Sequence, residues 1–403
     1  MKILQINCVY PQGATGKLTA DIHHRLLADG HESMVLYSRG KQNVEPHTRR
    51  VSSTLEGKVN HLISMLTGYV YGGCGLQTRK IIRQIEGYRP DVVHLQCING
   101  YFVNVYRLIR YLNEHQIPTV LTLHADFMFT ANCGSAFDCD RWQKGCGHCP
   151  RLKQATHSLF FDKTHQSFLK MKHAFEGFGD KIRVVGVSEF VSKRAKQSPV
   201  MKDLTVTTLR NGVDTEIFNP LARRDIRGTL GLAPDEKMVL WVTSLFTHEK
   251  GKDYFFELAD RMKDSRYRFV VVGADKPKAY EGDVIFAGYI TDRHLLASYH
   301  SAADVMLCCS RQESLPTVCL EAQCCGTPVV AFDVGGVSET IVDGMGEVVP
   351  LGHLSMMADA VARWSDLKPA ISEDTVNDAL RRLSVFNMTE AYIALYRSMM
   401  GEA

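Results

Sequence analysis

"ADVMLCCSRQESLPTVCLEAQCCGTPVVAFDV", residues 303–334, decides how this 403-residue chain is read. Its two ends, "ADVMLCCS" and "TPVVAFDV", are short apolar runs of strand length. Between them "LPTVCLEAQCCG" carries helix signals. Pro316 suits a first turn, where a missing N–H is harmless, and Gly326 suits the carboxyl-terminal end. Strand, helix and strand, with both strands apolar throughout, make the unit of a parallel sheet covered on both faces.

The same alternation extends outward in both directions. "KILQIN", "SMVLYS", "DVVHLQ", "PTVLTLH" and "IRVVGVS" read as buried strands before it. "KMVLWVTS", "YRFVVVGA" and "DVIFAGYI" read likewise in the second half. Segments 17–29 and 101–115 show apolar residues at helical spacing. Strand runs start afresh near residue 237, after "IFNPLARRDIRGTLGLAPDEK". The expectation is an α/β chain of two doubly wound Rossmann-like domains. The first covers 1–215, a linker 216–236 follows, and the second covers 237–384, with a last helix at 385–403 packing back on the first. In such folds ligands bind beyond the carboxyl ends of the strands, so a cleft between the domains is the expected site.

Composition narrows the functional classes. With 45% hydrophobic and 23% charged residues the chain is globular. No apolar run reaches the ~18 residues of a membrane span. "MKILQINCVYPQG" is too short in its apolar part for a signal peptide and reads as a first strand. Twelve cysteines without an export signal point to a reducing cytoplasm. The net charge of +3 hides a split: residues 1–200 hold 26 Lys and Arg against 15 Asp and Glu, residues 201–403 hold 21 against 29. A basic half at +11 beside an acidic half at −8 points the first toward an anionic membrane surface or a phosphate-bearing substrate. No basic run is dense enough for nucleic acid.

Glu313 and Glu321 stand eight positions apart, and Val318, Leu320 and Ala322 surround the second. A carboxylate in apolar company costs several kcal/mol unless something pairs with it. Glu313 falls in the loop before the helix and Glu321 within it. The first-turn N–H groups around Leu315, Pro316, Thr317 and Val318 form an anion site. Carboxylates at both ends of a phosphate-binding turn suit a diphosphate with hydroxyl groups on either side, as in a nucleotide sugar.

Residues 303–346 resemble the donor-site signature of family 4 retaining glycosyltransferases of the GT-B fold, in their bacterial polysaccharide-type branch. Glu313 and Glu321 meet its E-x7-E pattern. "GATGKLTADIHHRLLADGHE", "VVGVSEFVSKRA", "LRNGVDTEIFNP" and "FNMTEAYIALYRSMM" resemble further parts of the family in order, with Asn211, Gly212 and Asp214 at matching places. The resemblance implies that Glu313 contacts the donor sugar and Glu321 the nucleotide's ribose. It implies that Lys250 of "THEKGKDY" contacts the donor phosphates. It places His124 of "TLHADF" near the sugar, and gives Gly13 and Gly16 a close backbone approach to phosphate. The family usually has an arginine shortly before the lysine, and residues 244–249 contain none.

The implied activity is retaining transfer from a UDP- or GDP-linked sugar to a saccharide acceptor, carried on a polyprenyl pyrophosphate, in O-antigen, capsule or exopolysaccharide biosynthesis. No cofactor is required for that catalysis. The leaving phosphate helps deprotonate the acceptor in a front-face mechanism. The enzyme is expected to be cytoplasmic and peripheral at the inner face of the membrane. Arg79, Lys80 and Arg83 on one helix and Lys193, Arg194 and Lys196 on another are the expected membrane-facing cations. Two rivals are a nucleotide-sugar 2-epimerase on the same fold and a silent sugar-binding partner subunit.

Cys133, Cys139, Cys146 and Cys149 fall within seventeen residues at C-x5-C-x6-C-x2-C spacing. Four thiols so close read either as a structural zinc site or as packing cysteines, with disulfides third. Asp138 and Asp140 form a D-x-D away from any strand end and are set aside as metal ligands.

Overall fold

The computed structural model describes every residue except 43, 222–223, 244, 264–265, 278–279 and 402–403. Among the described residues the chain forms two parallel sheets. The first holds β1 (Lys2–Val9), β2 (Glu32–Arg39), β3 (Thr48–Arg50), β4 (Val92–Leu95), β5 (Thr119–Leu123), β6 (Ile182–Gly186) and β7 (Thr205–Thr208), in the order β3-β2-β1-β4-β5-β6-β7. The second holds β8 (Lys237–Val242), β9 (Tyr267–Val272), β10 (Ile285–Phe286), β11 (Val305–Cys308), β12 (Val329–Phe332) and β13 (Gly346–Val349), in the order β10-β9-β8-β11-β12-β13. Each sheet starts at its centre, winds to one edge and returns past its start. The order therefore reverses between β1 and β4, and again between β8 and β11. This is the doubly wound arrangement, and its switch points are where such sheets bind ligands.

The apolar runs form strands because each sheet is covered on both faces. Val239 and Trp241 face one layer with Phe255 and Leu258, while Met238 and Leu240 face the other with Ile226 and Tyr299. The chain divides into two compact units, Met1–Arg210 with Thr389–Ala403, and Asn211–Met388. The expected linker at 216–236 is corrected by this packing. It lies inside the second unit, where Ile226 is buried against Met238 and Leu240 and a short helix spans Ile226–Thr229. "DVIFAGYI" yields only the two residues of β10.

In the first unit, α1 (Gly13–Ala28) follows β1, and α2 (Thr54–Thr67), α3 (Gly75–Tyr88) and α4 (Val105–Glu114) succeed it. α2 is set by a capping box. The Ser53 hydroxyl accepts from Glu56 N at 3.2 Å, and Ser53 N donates to Glu56 Oε2 at 2.6 Å.

One face of β1, β4 and β5 is polar. Gln5, Asn7, His94, Gln96 and Thr122 are all 1% exposed or less. Asn7 Nδ2 donates to Thr19 Oγ1 at 2.8 Å, and Gln96 Nε2 donates to Gln5 Oε1 at 3.3 Å. His94 lies 2.6 Å from the Tyr396 hydroxyl and 2.8 Å from Thr122 Oγ1. Tyr392 meets Thr122 at 2.9 Å, so the Val385–Met399 helix is tied to the unit by hydrogen bonds that register its face.

Burial lowers the pKa of His23 to about 4 and that of His94 to about 3. Unfolded, each titrates near 6.5. Below that pH the unfolded chain binds protons that the folded chain refuses. The associated stability is complete above about 6.5 and is lost as pH falls toward the folded values. Melting at pH 5.0 should therefore show a loss of roughly 1–2 kcal/mol per histidine relative to pH 7.5. An unchanged melting point across that range counts against these two rings being held neutral.

Candidate active site

Beyond the end of β11 the chain leaves the sheet through Ser310, Arg311 and Glu313, and the Thr317–Cys324 helix begins. Pro316 is the residue before the helix rather than part of its first turn, with an extended ψ of 109°. Its ring fixes φ but leaves ψ open, so it serves as the boundary residue. Pro316 gives this helix no side-chain cap, and first-turn N–H groups carry partial positive charge. Leu315 and Pro316 are buried there, and Thr317 and Val318 are half-buried.

Glu313 has two side-chain donors on one oxygen. Lys250 Nζ donates to Oε1 at 2.6 Å, and the Ser310 hydroxyl donates to the same atom at 2.7 Å. Two backbone approaches bring the pair together. Gly251 has φ +80°, and a Cβ there would lie 1.8 Å from the Cys309 carbonyl oxygen. Gly335 has φ +59°, and its Cβ would lie 1.9 Å from the Glu313 carbonyl oxygen. Gly336 N donates to that same carbonyl at 3.1 Å. Only glycine fits either place. Burial pulls the Lys250 pKa down, but attraction to Glu313 and their hydrogen bond outweigh it, and the net direction is upward. The group stays an ammonium.

Glu321 is on the same helix, buried, with Oε2 3.6 Å from His300 Nε2. That is an ion-pair distance, not a hydrogen bond. Both His300 ring nitrogens are buried without a hydrogen-bond partner among the described residues. Arg311 braces the loop that precedes the helix. Its N donates to Glu249 O at 2.9 Å, its guanidinium bonds Tyr254 Oη at 2.6 Å, and it pairs with Asp253.

In the first unit, Gly13 opens α1, and a Cβ at Gly16 would lie 3.2 Å from Val9 Cγ2. His124 follows β5 and keeps a partly open edge, with Nε2 2.8 Å from Gln96 Oε1. Burial lowers its pKa to about 4, so it is neutral at pH 7. In the second unit Lys250 pairs with Glu313, residues 315–318 follow in the chain at the helix start, and Glu321 lies farther along that helix against His300. Gly13, Gly16 and His124 lie at strand ends of the first.

The four loop cysteines are free and half-buried. Burial raises Cys133 to about 11 and Cys146 to about 12. Among the described residues no three His, Cys, Asp or Glu are arranged to hold a metal ion.

Sequence reading gave no role to Ser310, His300, Gly251 or Gly335. A glycine directly after the lysine and the "GG" at 335–336 were the available signals. Gly251→Ala should cost more than about 1 kcal/mol and displace Lys250. Gly87→Ala, in α3 with nothing within 4 Å of its Cβ, should be neutral or stabilising. Urea unfolding of both variants checks the pair, and equal stabilities would contradict the backbone clamp.

Two family profiles match the chain: Glycosyltransferase Family 4 over residues 15–217, and Glycosyl transferases group 1 over residues 236–366. A protein of Escherichia coli (strain K12) named for colanic acid biosynthesis glycosyl transfer, WcaC, is 23% identical over 368 residues, 87% of each chain. Sucrose-phosphate synthase from Thermosynechococcus elongatus superposes with a TM-score of 0.71 at 19% identity, covering 100% of both chains. HepE from Anabaena, solved in complex with UDP, superposes with a TM-score of 0.68 at 17% identity, covering 99% of this chain and 100% of that one. At these identities the two structures speak for the fold, which is GT-B. With one profile spanning half the chain and the second covering most of the other sheet, the chain belongs to Glycosyltransferase Family 4.

Proposed function

We propose that this glycosyltransferase moves a sugar, with retention, from a UDP- or GDP-linked donor to a saccharide acceptor on a polyprenyl pyrophosphate. The proposed setting is cell-surface polysaccharide biosynthesis at an anionic membrane surface. The observation that carries the reading is the Lys250–Glu313 pair at 2.6 Å beside an uncapped helix start, with Glu321 buried on the same helix. Support for the donor class comes from the HepE complex with UDP, and for the setting from the name of WcaC.

In this reading the diphosphate binds the backbone N–H groups of Leu315, Thr317 and Val318 beside Pro316, and Lys250. Lys250 and the helix start stabilise the charge that develops as the sugar–phosphate bond breaks. Glu313 holds sugar hydroxyls, and Glu321 accepts from the ribose. His124, being neutral, offers a ring nitrogen to a sugar hydroxyl without adding charge. Gly13 and Gly16 admit phosphate close to the backbone. No side chain is assigned as a covalent nucleophile, so the leaving phosphate takes the acceptor proton.

The two glutamates should fail differently. Glu321→Ala is expected to raise the donor KM about tenfold with little change in kcat, since ribose is held alike in ground and transition states. Glu313→Ala is expected to lower kcat by about 10²-fold, because it touches the reacting sugar. Steady-state kinetics with UDP- and GDP-sugars, preceded by a thermal-shift screen, measures both. Wild-type constants in both variants would sink the assignment.

For Cys133, Cys139, Cys146 and Cys149 we propose a structural zinc, supported by four free, half-buried thiols within one stretch of seventeen residues. The ion would have to draw the thiols inward, since among the described residues no ligand set stands ready. About one equivalent of zinc in purified protein is expected, lost in Cys146→Ser together with several degrees of Tm. Metal-free protein of unchanged stability returns the four to packing.

A further inference from the structure

α2 is turned inside out. Leu55, Val59, Leu62, Ile63 and Leu66 recur at i, i+4, i+7, i+8 and i+11, which is one face of a helix. That face is outward: the five side chains are between 44% and 71% exposed. The inward face is small and polar. Ser64 is the buried residue of the helix, Asn60 Nδ2 donates to Tyr101 O at 3.4 Å, and His61 stacks on Tyr101 at 4.6 Å. A surface helix normally buries its leucines and wets its polar face. The apolar stripe continues into the next segment, for Leu159 N donates to Met65 O at 2.9 Å, and Phe160 and Phe161 are 68% and 53% exposed.

Cations surround this face. Lys58 is exposed on α2 itself. α3 adjoins it through Gln77 and Lys80, which reach Glu56 at 2.9 and 3.7 Å, and so brings exposed Arg79, Lys80 and Arg83 alongside. Lys163 lies over the Phe161 ring at 6.0 Å, and Lys170 over Tyr69 at 3.9 Å. The one acid of α2, Glu56, is held in its capping box. Arg194, by contrast, is not a surface cation. It pairs with buried Asp126 at 3.2 Å and stacks over Trp142 at 5.0 Å, which removes it from the expected membrane set.

We infer that α2 and the Phe160–Phe161 segment insert into the headgroup layer of an anionic bilayer, with the flanking lysines and arginines on the lipid phosphates. An apolar stripe flanked by lysines is the pattern of an interfacial helix, whose apolar face sinks about 5–10 Å. A second copy of this chain is a poorer occupant, because a twofold contact would set these cations against their own equivalents. A bilayer offers both the apolar layer and the opposite charge. This inference rests on the membrane setting proposed above and assigns it a surface.

Leu62→Trp places a reporter on an outward position. With vesicles of about 30% anionic lipid, its fluorescence should shift to the blue and be quenched by brominated acyl chains. Wild-type protein should stay partly bound at about 0.5 M salt, where exposed charges are screened within a few ångströms. Leu62→Glu with Ile63→Glu should weaken vesicle binding by at least about tenfold at low and high salt alike. Sedimentation with no blue shift of the introduced indole would overturn the insertion in favour of cations acting alone. A wild-type dimer that the double variant makes monomeric would overturn it in favour of a second copy. Failure to bind any vesicle would overturn it together with the membrane setting. Transfer to a water-soluble acceptor, expected to be unchanged in the double variant, reports the transferase reading separately.

Discussion

Two places where backbone touches backbone govern the second unit. At Gly251 the chain passes so near the Cys309 carbonyl that no Cβ fits, and at Gly335 it passes as near the Glu313 carbonyl. Each contact ties a different loop to the carboxyl end of β11. One delivers Lys250, and the other fixes the carbonyl of the residue Lys250 pairs with. An ion pair between flexible side chains on a surface contributes little. Here the partners are 31% and 15% exposed, and the backbone under both is fixed, so little conformational entropy remains to be lost on pairing. Arg311 adds a third brace, bonding the backbone of His248 and Glu249 and the side chains of Asp253 and Tyr254. The backbone on either side of the pair is thus held at three points.

How much of this was legible follows from where each signal is written. Parallel strands covered on both faces read as apolar runs, so β8, β9, β11 and β12 announce themselves. β3 is "TRR" and β7 is "TVTT", short and polar, and such strands exist because a neighbour's hydrogen bonds recruit them. Glu313 and Glu321 were legible because an apolar neighbourhood makes a carboxylate conspicuous. Their partners were not. Lys250 is 63 residues from Glu313, and its role came from family resemblance, whereas the distance that joins them is a product of sheet order. Ser310 and His300 carry no pattern at all.

The polar ladder of the first unit shows the same limit in reverse. "QIN", "HLQ" and "TLH" place polar residues at alternate positions within apolar strands, which was visible, yet their purpose depends on what packs above them. Tyr392 and Tyr396 arrive from the far end of the chain. A buried polar network stabilises only when each member has a partner, and this one is satisfied by a helix nearly 300 residues away in sequence. α2 is the third case. Its leucine, valine and isoleucine spacing implies a core-facing helix, and the structure turns that face outward, with Asn60, His61 and Ser64 on the protein side.

The Lys250–Glu313 pair also sets the order of events at the proposed donor site. A buried lone charge costs several kcal/mol, so neither residue could wait there alone. Paired, they are neutral together, and Ser310 satisfies the same carboxylate oxygen as the lysine. A diphosphate approaching the helix start competes with Glu313 for the ammonium. In the proposed complex, Lys250 turning its ammonium toward phosphate would cost Glu313 its charged donor and leave it acceptor capacity to fill. Sugar hydroxyls are donors of the right kind. In the proposed donor complex, phosphate taking the lysine would widen the acceptor capacity that Glu313 offers the sugar, since both of its donors sit on one oxygen, and so would link recognition of the two halves of one donor molecule.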